Sequence, residues 1–169
     1  MNNYKLIILD FDGTLCATHE AILYCVKRTY KTLNMTVPAH DFIDETIRAG
    51  LGMEKTLLAL SPELTEQQIQ PILDQYEKIY LSEGEQKSAP YSKAGEVLAK
   101  LHAAGYKLAV VSNKAVAAVN TALERFQLKQ YITAVVGDTK TLSKKPDPMA
   151  YTDFIQPKFK EIDPKQILM

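Results

Sequence analysis

The sequence predicts an α/β protein, a doubly wound parallel sheet interrupted after its first strand by an all-helical insertion. Three observations carry this prediction. Apolar runs without polar alternation recur at residues 5–9 (KLIIL), 107–111 (KLAVV), 132–136 (ITAVV) and 166–169 (QILM). Such runs suit strands buried on both faces of a parallel sheet. From residue 92 onward they alternate with helical periodicity, the signature of right-handed crossovers. Residues 16–86 carry helical periodicity and no strand run.

In chain order, the run at 5–9 is stopped by Asp10-Phe11-Asp12-Gly13. Ile22, Leu23, Val26, Tyr30 and Leu33 then repeat at helical spacing, with Thr18 as the expected N-cap. Pro38 opens a second helix with Phe42, Ile43 and Ile47, stopped near Gly50. A short helix over 53–60 is closed by Ser61-Pro62. A longer one over 64–81 contains Pro71, which predicts a kink or a helix start there. Residues 82–90 form a polar linker. A helix over 92–104 is ended by Gly105, and further helices are expected over 115–126 and from 147 to about 156. The expected division is one discontinuous domain of 1–15 and 87–169, and a helical domain of 16–86.

Lys+Arg and Asp+Glu each number 20, so the net charge is zero. That balance gives no general basic footprint for nucleic acid and no acidic tail. A chain of 169 residues with 46% hydrophobic content can bury a core without disulfide or zinc staples. Cys16 and Cys25 match no zinc spacing and are expected as reduced, buried or half-buried thiols. The first apolar run is too short for a signal peptide, and none approaches the ~20 residues of a membrane helix. A soluble, cytoplasmic protein with neither nucleic-acid nor membrane partners is expected.

Ligands of doubly wound sheets bind at the carboxyl ends of the strands. After the first run stands Asp10-Phe11-Asp12-Gly13-Thr14. Carboxylates two apart at a strand end share one side. One can attack phosphorus while the other handles the leaving group's proton, and both suit hard magnesium. Gly13 lets the backbone approach a phosphate closely. After the second run, Ser112-Asn113-Lys114 precedes a predicted helix and offers a hydroxyl and amides to phosphate; a plain helix cap is the competing reading. After the third run, Gly137-Asp138-Thr139 leads to Lys144-Lys145-Pro146-Asp147-Pro148. A lysine there can offset the charge that develops in phosphoryl transfer. Lys145 is the candidate, and Lys144 reads as a solvated surface charge. His19 and Arg48 are candidate substrate contacts in the helical insertion, while His40 and His102 read as surface residues.

Together these residues resemble the haloacid dehalogenase superfamily of phosphohydrolases. Asp10-Phe11-Asp12-Gly13-Thr14-Leu15 is similar to its first motif, Val111-Ser112-Asn113 to its second and Lys145-Pro146-Asp147-Pro148 to its third. The segments at 95–98 and 108–114 look like the phosphoglycolate phosphatase-like branch. The resemblance covers essentially the whole chain and implies a Rossmann-like core with a helical cap at 16–86. It implies Asp10 as the nucleophile forming an aspartyl-phosphate, and Asp12 as the general acid/base. It places Gly13, Thr14, Ser112, Asn113 and Lys145 at the phosphoryl group, and Mg2+ on Asp10 and Asp12. An aspartate at position 12 favours a phosphatase or phosphomutase over a dehalogenase.

The implied function is magnesium-dependent hydrolysis of a small phosphorylated, phosphoglycolate-like metabolite. A hexose phosphomutase of the same superfamily is one alternative, and a catalytically impaired fragment or remnant lacking the family's fourth motif is the other. Two departures stand out. Ala17-Thr18 replaces the family's Asp-Ser pair, which removes a carboxylate near the hinge. The family's fourth motif, an acidic Gly-Asp pair that supplies a further magnesium ligand, is expected after the run at 166–169, where the chain stops. Val136-Gly137-Asp138-Thr139 looks similar but precedes Lys145, and no second acid follows at 139–143, so Asp138 is expected in the loop ahead of Lys145. The expectation is a core incomplete at its C-terminus, with weak metal binding, low turnover and self-association through an exposed fourth strand.

Overall fold

The computed structural model describes residues 3–139 and 144–169. Residues 140–143 of the loop expected ahead of Lys145 lie outside the described residues. By internal contacts the chain divides into two compact units, Met1–Ala17 with Pro90–Met169, and Thr18–Ala89.

The elements in chain order are β1 (Leu6–Leu9), β2 (Cys16–Ala17), α1 (His19–Thr32), α2 (His40–Arg48), α3 (Met53–Leu60), α4 (Glu66–Ile79), β3 (Ala89–Pro90), α5 (Ala94–Ala103), β4 (Lys107–Ala115), α6 (Val116–Arg125), β5 (Ala134–Asp138), α7 (Gln156–Lys158) and β6 (Ile167–Leu168). Among the described residues no helix is long and apolar enough to cross a membrane.

In the first unit β1 pairs in parallel with β4 and β6, and β4 pairs in parallel with β5, giving the order β5-β4-β1-β6. Both faces of this sheet are covered. Leu6, Ile8, Ala109, Val111, Ala134 and Val136 pack with Ile155, Phe159 and Ile162 on one face. Leu108 and Val110 pack with Phe11, Leu98, Val119 and Leu123 on the other, joined by Ile7 and Leu9. This is why the strands read as continuous apolar runs. Each fully buried leucine, such as Leu98, Leu108 or Leu123, contributes roughly 1.5–3 kcal/mol relative to exposure. The strand order reverses at β1, which makes its carboxyl end the switch point where such sheets bind ligands.

Four strands differ from their sequence expectation: β2 falls in the segment expected to be all helical and β3 in the expected linker, the two pairing with each other, and two core strands run further than expected. β4 continues through Ser112, Asn113 and Lys114 to Ala115, and β5 reaches Asp138. The cause is a bulge. Val111 pairs with Val136, yet the next pair is Ala115 with Asp138, so four residues on β4 advance against two on β5. The bulged residues re-aim their side chains, and pairing resumes beyond them. Asp138 therefore ends a strand instead of lying in a loop ahead of Lys145. Gly137 permits the bulge, because a Cβ there would stand 2.7 Å from the Lys114 carbonyl oxygen and 2.8 Å from Val116 Cα.

The helix expected from 147 starts later. Asp147 Oδ1 accepts from the Met149 amide at 2.9 Å, fixing a turn that delays the helical segment. Beyond the turn, a π-helical segment, Ala150–Ile155, runs into α7.

The second unit is helical. α1 to α4 bury Val26, Tyr30, Ile43, Leu57, Ile69 and Ile72 in one cluster. Thr18 stands at the N-cap position of α1, but its backbone (φ −110°, ψ −10°) is helical and its hydroxyl makes no capping bond. An N-cap ordinarily needs extended backbone to turn its oxygen onto the first-turn amides. α4 instead begins with a full capping box between Thr65 and Gln68. That start outweighs Pro71, which stands inside the helix. Both cysteines are buried, and neither forms a disulfide.

Candidate active site

The carboxyl end of β1 turns sharply. Phe11 is buried, and its carbonyl accepts from the amides of Leu15 and Cys16, each at 3.1 Å, while the Gly13 amide donates to the Cys16 carbonyl at 2.9 Å. Gly13 takes a left-handed φ of +77° at this turn, a conformation that costs other residues energy. Asp10 and Asp12 flank the buried Phe11. Their side chains are 40% and 28% exposed, so solvent or a ligand reaches both.

Each carboxylate faces one lysine. Lys145 Nζ donates to Asp10 Oδ1 at 2.7 Å and to the Val111 carbonyl at 2.9 Å. Lys114 Nζ lies 3.4 Å from Asp12 Oδ1. Val111 is the last regularly paired residue of β4 before the bulge, so Lys145 reads the geometry of both neighbouring strands.

The bulge supplies the supporting bonds. Ser112 Oγ accepts from the Lys114 amide at 3.2 Å. Asn113 grips the backbone of Lys145 at both groups: Oδ1 accepts from the Lys145 amide at 2.7 Å, and Nδ2 donates to its carbonyl at 3.2 Å. α6, expected from residue 115, begins at Val116.

Cys16 lies at the base of this turn. Burial first, and then the charge of Asp12, push its thiol up to about 12, against smaller opposing effects of Lys114 and Arg125. It stays a neutral thiol near neutral pH and is no nucleophile.

The family model of haloacid dehalogenase-like hydrolases matches residues 7–169. The chain belongs to this family. Among curated haloacid dehalogenase relatives, a phosphoglycolate phosphatase from Vibrio vulnificus is 26% identical, over 98% of this chain and 74% of its own length. One from Psychrobacter arcticus is 31% identical, over 85% of this chain and 65% of its own length. The chain thus spans about two thirds to three quarters of these relatives. A crystal structure described as a predicted phosphoglycolate phosphatase from Haemophilus somnus superimposes with a TM-score of 0.82 at 27% identity, covering 99% of this chain and 76% of that one. A haloacid dehalogenase-like hydrolase from Streptococcus pneumoniae gives a TM-score of 0.79 at 17% identity, covering 99% and 75%, a likeness of fold.

Within this haloacid dehalogenase unit the structure brings Asp10, Asp12, Ser112, Asn113 and Lys145 together, with Gly13 and Thr14 exposed at the turn. One further charge that the sequence alone does not single out joins them, Lys114 beside Asp12. Lys144 and Asp138 are ion-paired with each other at 3.1 Å, so Lys144 is half-buried in place of the solvated surface charge expected. Asp138 was visible only as part of a Gly-Asp-Thr string.

His19 and Arg48 belong to the helical unit. His19 Nε2 lies 2.6 Å from Asp44 Oδ1, and Arg48 Nε donates to Asp44 Oδ2 at 2.7 Å. Arg48, then His19, hold the Asp44 carboxyl down at about 2.

Among the described residues no three His, Cys, Asp or Glu side chains are grouped to hold a metal ion. Asp10 and Asp12 still offer carboxylate and carbonyl oxygens. That donor set fits magnesium, which takes few protein oxygens and keeps several waters.

Proposed function

We propose that this chain is a magnesium-dependent phosphatase acting on a small phosphorylated metabolite of the phosphoglycolate type, through an aspartyl-phosphate on Asp10. One observation carries the reading: two carboxylates follow the central strand of a parallel sheet, Asp12 facing Lys114 of β4 at 3.4 Å and Asp10 facing Lys145, whose Nζ lies 2.7 Å from Oδ1. The phosphoglycolate phosphatases among its relatives support the substrate class.

In this reading an Asp10 oxygen attacks phosphorus as the bond to the leaving oxygen breaks. Asp12 gives that oxygen its proton, then takes one from the water that hydrolyses the acyl-phosphate. Lys145 steadies the phosphoryl oxygens while orienting Asp10. The Ser112 hydroxyl, which accepts from the Lys114 amide, keeps its own proton for a phosphoryl oxygen, and the exposed Thr14 hydroxyl is placed for another. Asn113 acts through Lys145, whose backbone it holds. Gly13 lets the turn approach the phosphoryl group. Magnesium, held by the Asp10 carboxylate and the Asp12 carbonyl, would neutralise charge on the phosphoryl group.

The test is phosphate release from phosphoglycolate and from an aryl phosphate, with magnesium and with a chelator. Magnesium-dependent release by the parent chain and its loss in Asp10→Asn are expected. Full activity in Asp10→Asn would falsify the nucleophile assignment.

A further inference from the structure

Lys114 belongs to no role that the phosphatase reading requires, yet it is built into the site with care. Its side chain is only 10% exposed, and burying an ammonium costs desolvation that a partner must offset. Asp12, 102 residues earlier in the chain, is such a partner, at 3.4 Å. The contact exists because β4 advances four residues against two of β5 between Val111 and Ala115. Two more features hold that backbone excursion. The Ser112 hydroxyl accepts from the Lys114 amide, and Gly137 leaves room for the Lys114 carbonyl where any Cβ would stand 2.7 Å away. Meanwhile the charge beside the nucleophile is supplied separately, by Lys145 on Asp10. The two lysines thus serve different carboxylates.

We infer that Lys114 is a positioning residue for Asp12: by holding Oδ1 it turns Oδ2 toward the leaving-group oxygen. The inference rests on the phosphatase reading and deepens it. In the step it serves, the Asp10 oxygen–phosphorus bond forms, the bond from phosphorus to the ester oxygen breaks, and that oxygen takes its proton from Asp12 Oδ2. A lysine that merely bound the substrate's phosphate would help every ester equally. A lysine that orients the proton donor matters most where the leaving oxygen needs the proton. A nitrophenolate departs without one, whereas an alkoxide does not.

The experiment measures kcat/KM for phosphoglycolate, an alkyl ester, and for p-nitrophenyl phosphate, with magnesium, in the parent chain and its variants. In Lys114→Met the loss on the alkyl ester is expected to exceed the loss on the aryl ester by about 10- to 100-fold. Asp12→Asn should show the same bias, and Lys114→Met added to Asp12→Asn should cost nothing further on the alkyl ester. Lys114→Arg, which keeps the charge and a donor, should recover most of the alkyl activity. Should Lys114→Met not fold, Lys114→Gln carries the same comparison.

Equal losses on both esters, with a raised KM, would overturn the inference in favour of a phosphate-binding lysine. Independent losses in the double variant would overturn it too. In either case the parent chain still hydrolyses both esters, and the phosphatase reading stands. If the parent chain with magnesium hydrolyses neither, that reading fails and the inference falls with it.

Discussion

Lys145 places its ammonium 2.7 Å from Asp10 Oδ1 although 135 residues separate them. Its other contact, the Val111 carbonyl at 2.9 Å, belongs to the neighbouring strand β4. A single side chain therefore joins the residue after β1 to the last regularly paired residue of β4. Lys145→Met should lower kcat by about 10²- to 10³-fold, the usual effect of removing one preorganised electrostatic group. Steady-state kinetics on an aryl phosphate check this, and a change under about threefold would separate Lys145 from the chemistry.

Gly137 is the second point of sensitivity. A methyl at this position meets backbone, which cannot swing aside: the Lys114 oxygen at 2.7 Å and the Val116 nitrogen at 2.9 Å. Gly137→Ala should cost about 1–3 kcal/mol of stability, as overpacking commonly does. It should also push Lys114 away from Asp12. Urea unfolding reads the first effect, and an unchanged midpoint would mean that the bulge relaxes freely.

Cys16 should resist alkylation. Burial and the neighbouring Asp12 raise its thiol from 9.0 to about 12. Because the folded group titrates higher than the unfolded one, its contribution to stability is fully present below pH 9.0 and is lost as pH rises through about 12. At about pH 8, below either value, a thiol reagent should label Cys16 far more slowly in the native chain than in urea. Peptide mass mapping measures this, and equal rates would refute the burial.

Asp44 carries the opposite sign. Arg48 and His19 lower its carboxyl from 3.8 to about 2. The stability that this carboxylate contributes is present above pH 3.8 and fades as pH falls through about 2. Asp44→Asn should therefore flatten the acid side of the thermal-stability profile in that window. Parallel profiles for the parent and the variant would remove the cluster from the acid response.

The parallel sheet is legible in the sequence because both its faces are buried, so apolar residues need not alternate. Leu6 and Ile8 enter one cluster while Ile7 and Leu9 join the other. Asp10 and Asp12 are legible for the same reason, since charge that interrupts such a run can only stand at its end. Lys145 announces itself through the prolines at 146 and 148. Lys114 is different. Its aim depends on a count of residues between two strands, which no local period encodes, and Gly137 is the lone trace of it. From sequence Asn113 is expected at the phosphoryl group, with a plain helix cap as the competing reading. Its actual partner lies 32 residues away. Lys144 looks solvated until β5 is seen to extend to Asp138.

The clamp of Asn113 on the Lys145 backbone also bears on how the protein becomes competent. It closes a loop of 32 residues, an ordering cost of about 3 kcal/mol before any constant term. That closure is worthwhile only once α6 and β5 have already brought the two ends near. During refolding, the far-ultraviolet helical signal should thus recover before any catalytic signal does. Activity in this chain is a late-arriving readout of finished assembly, and a protease that nicks between 113 and 145 would silence it while leaving much of the secondary structure in place.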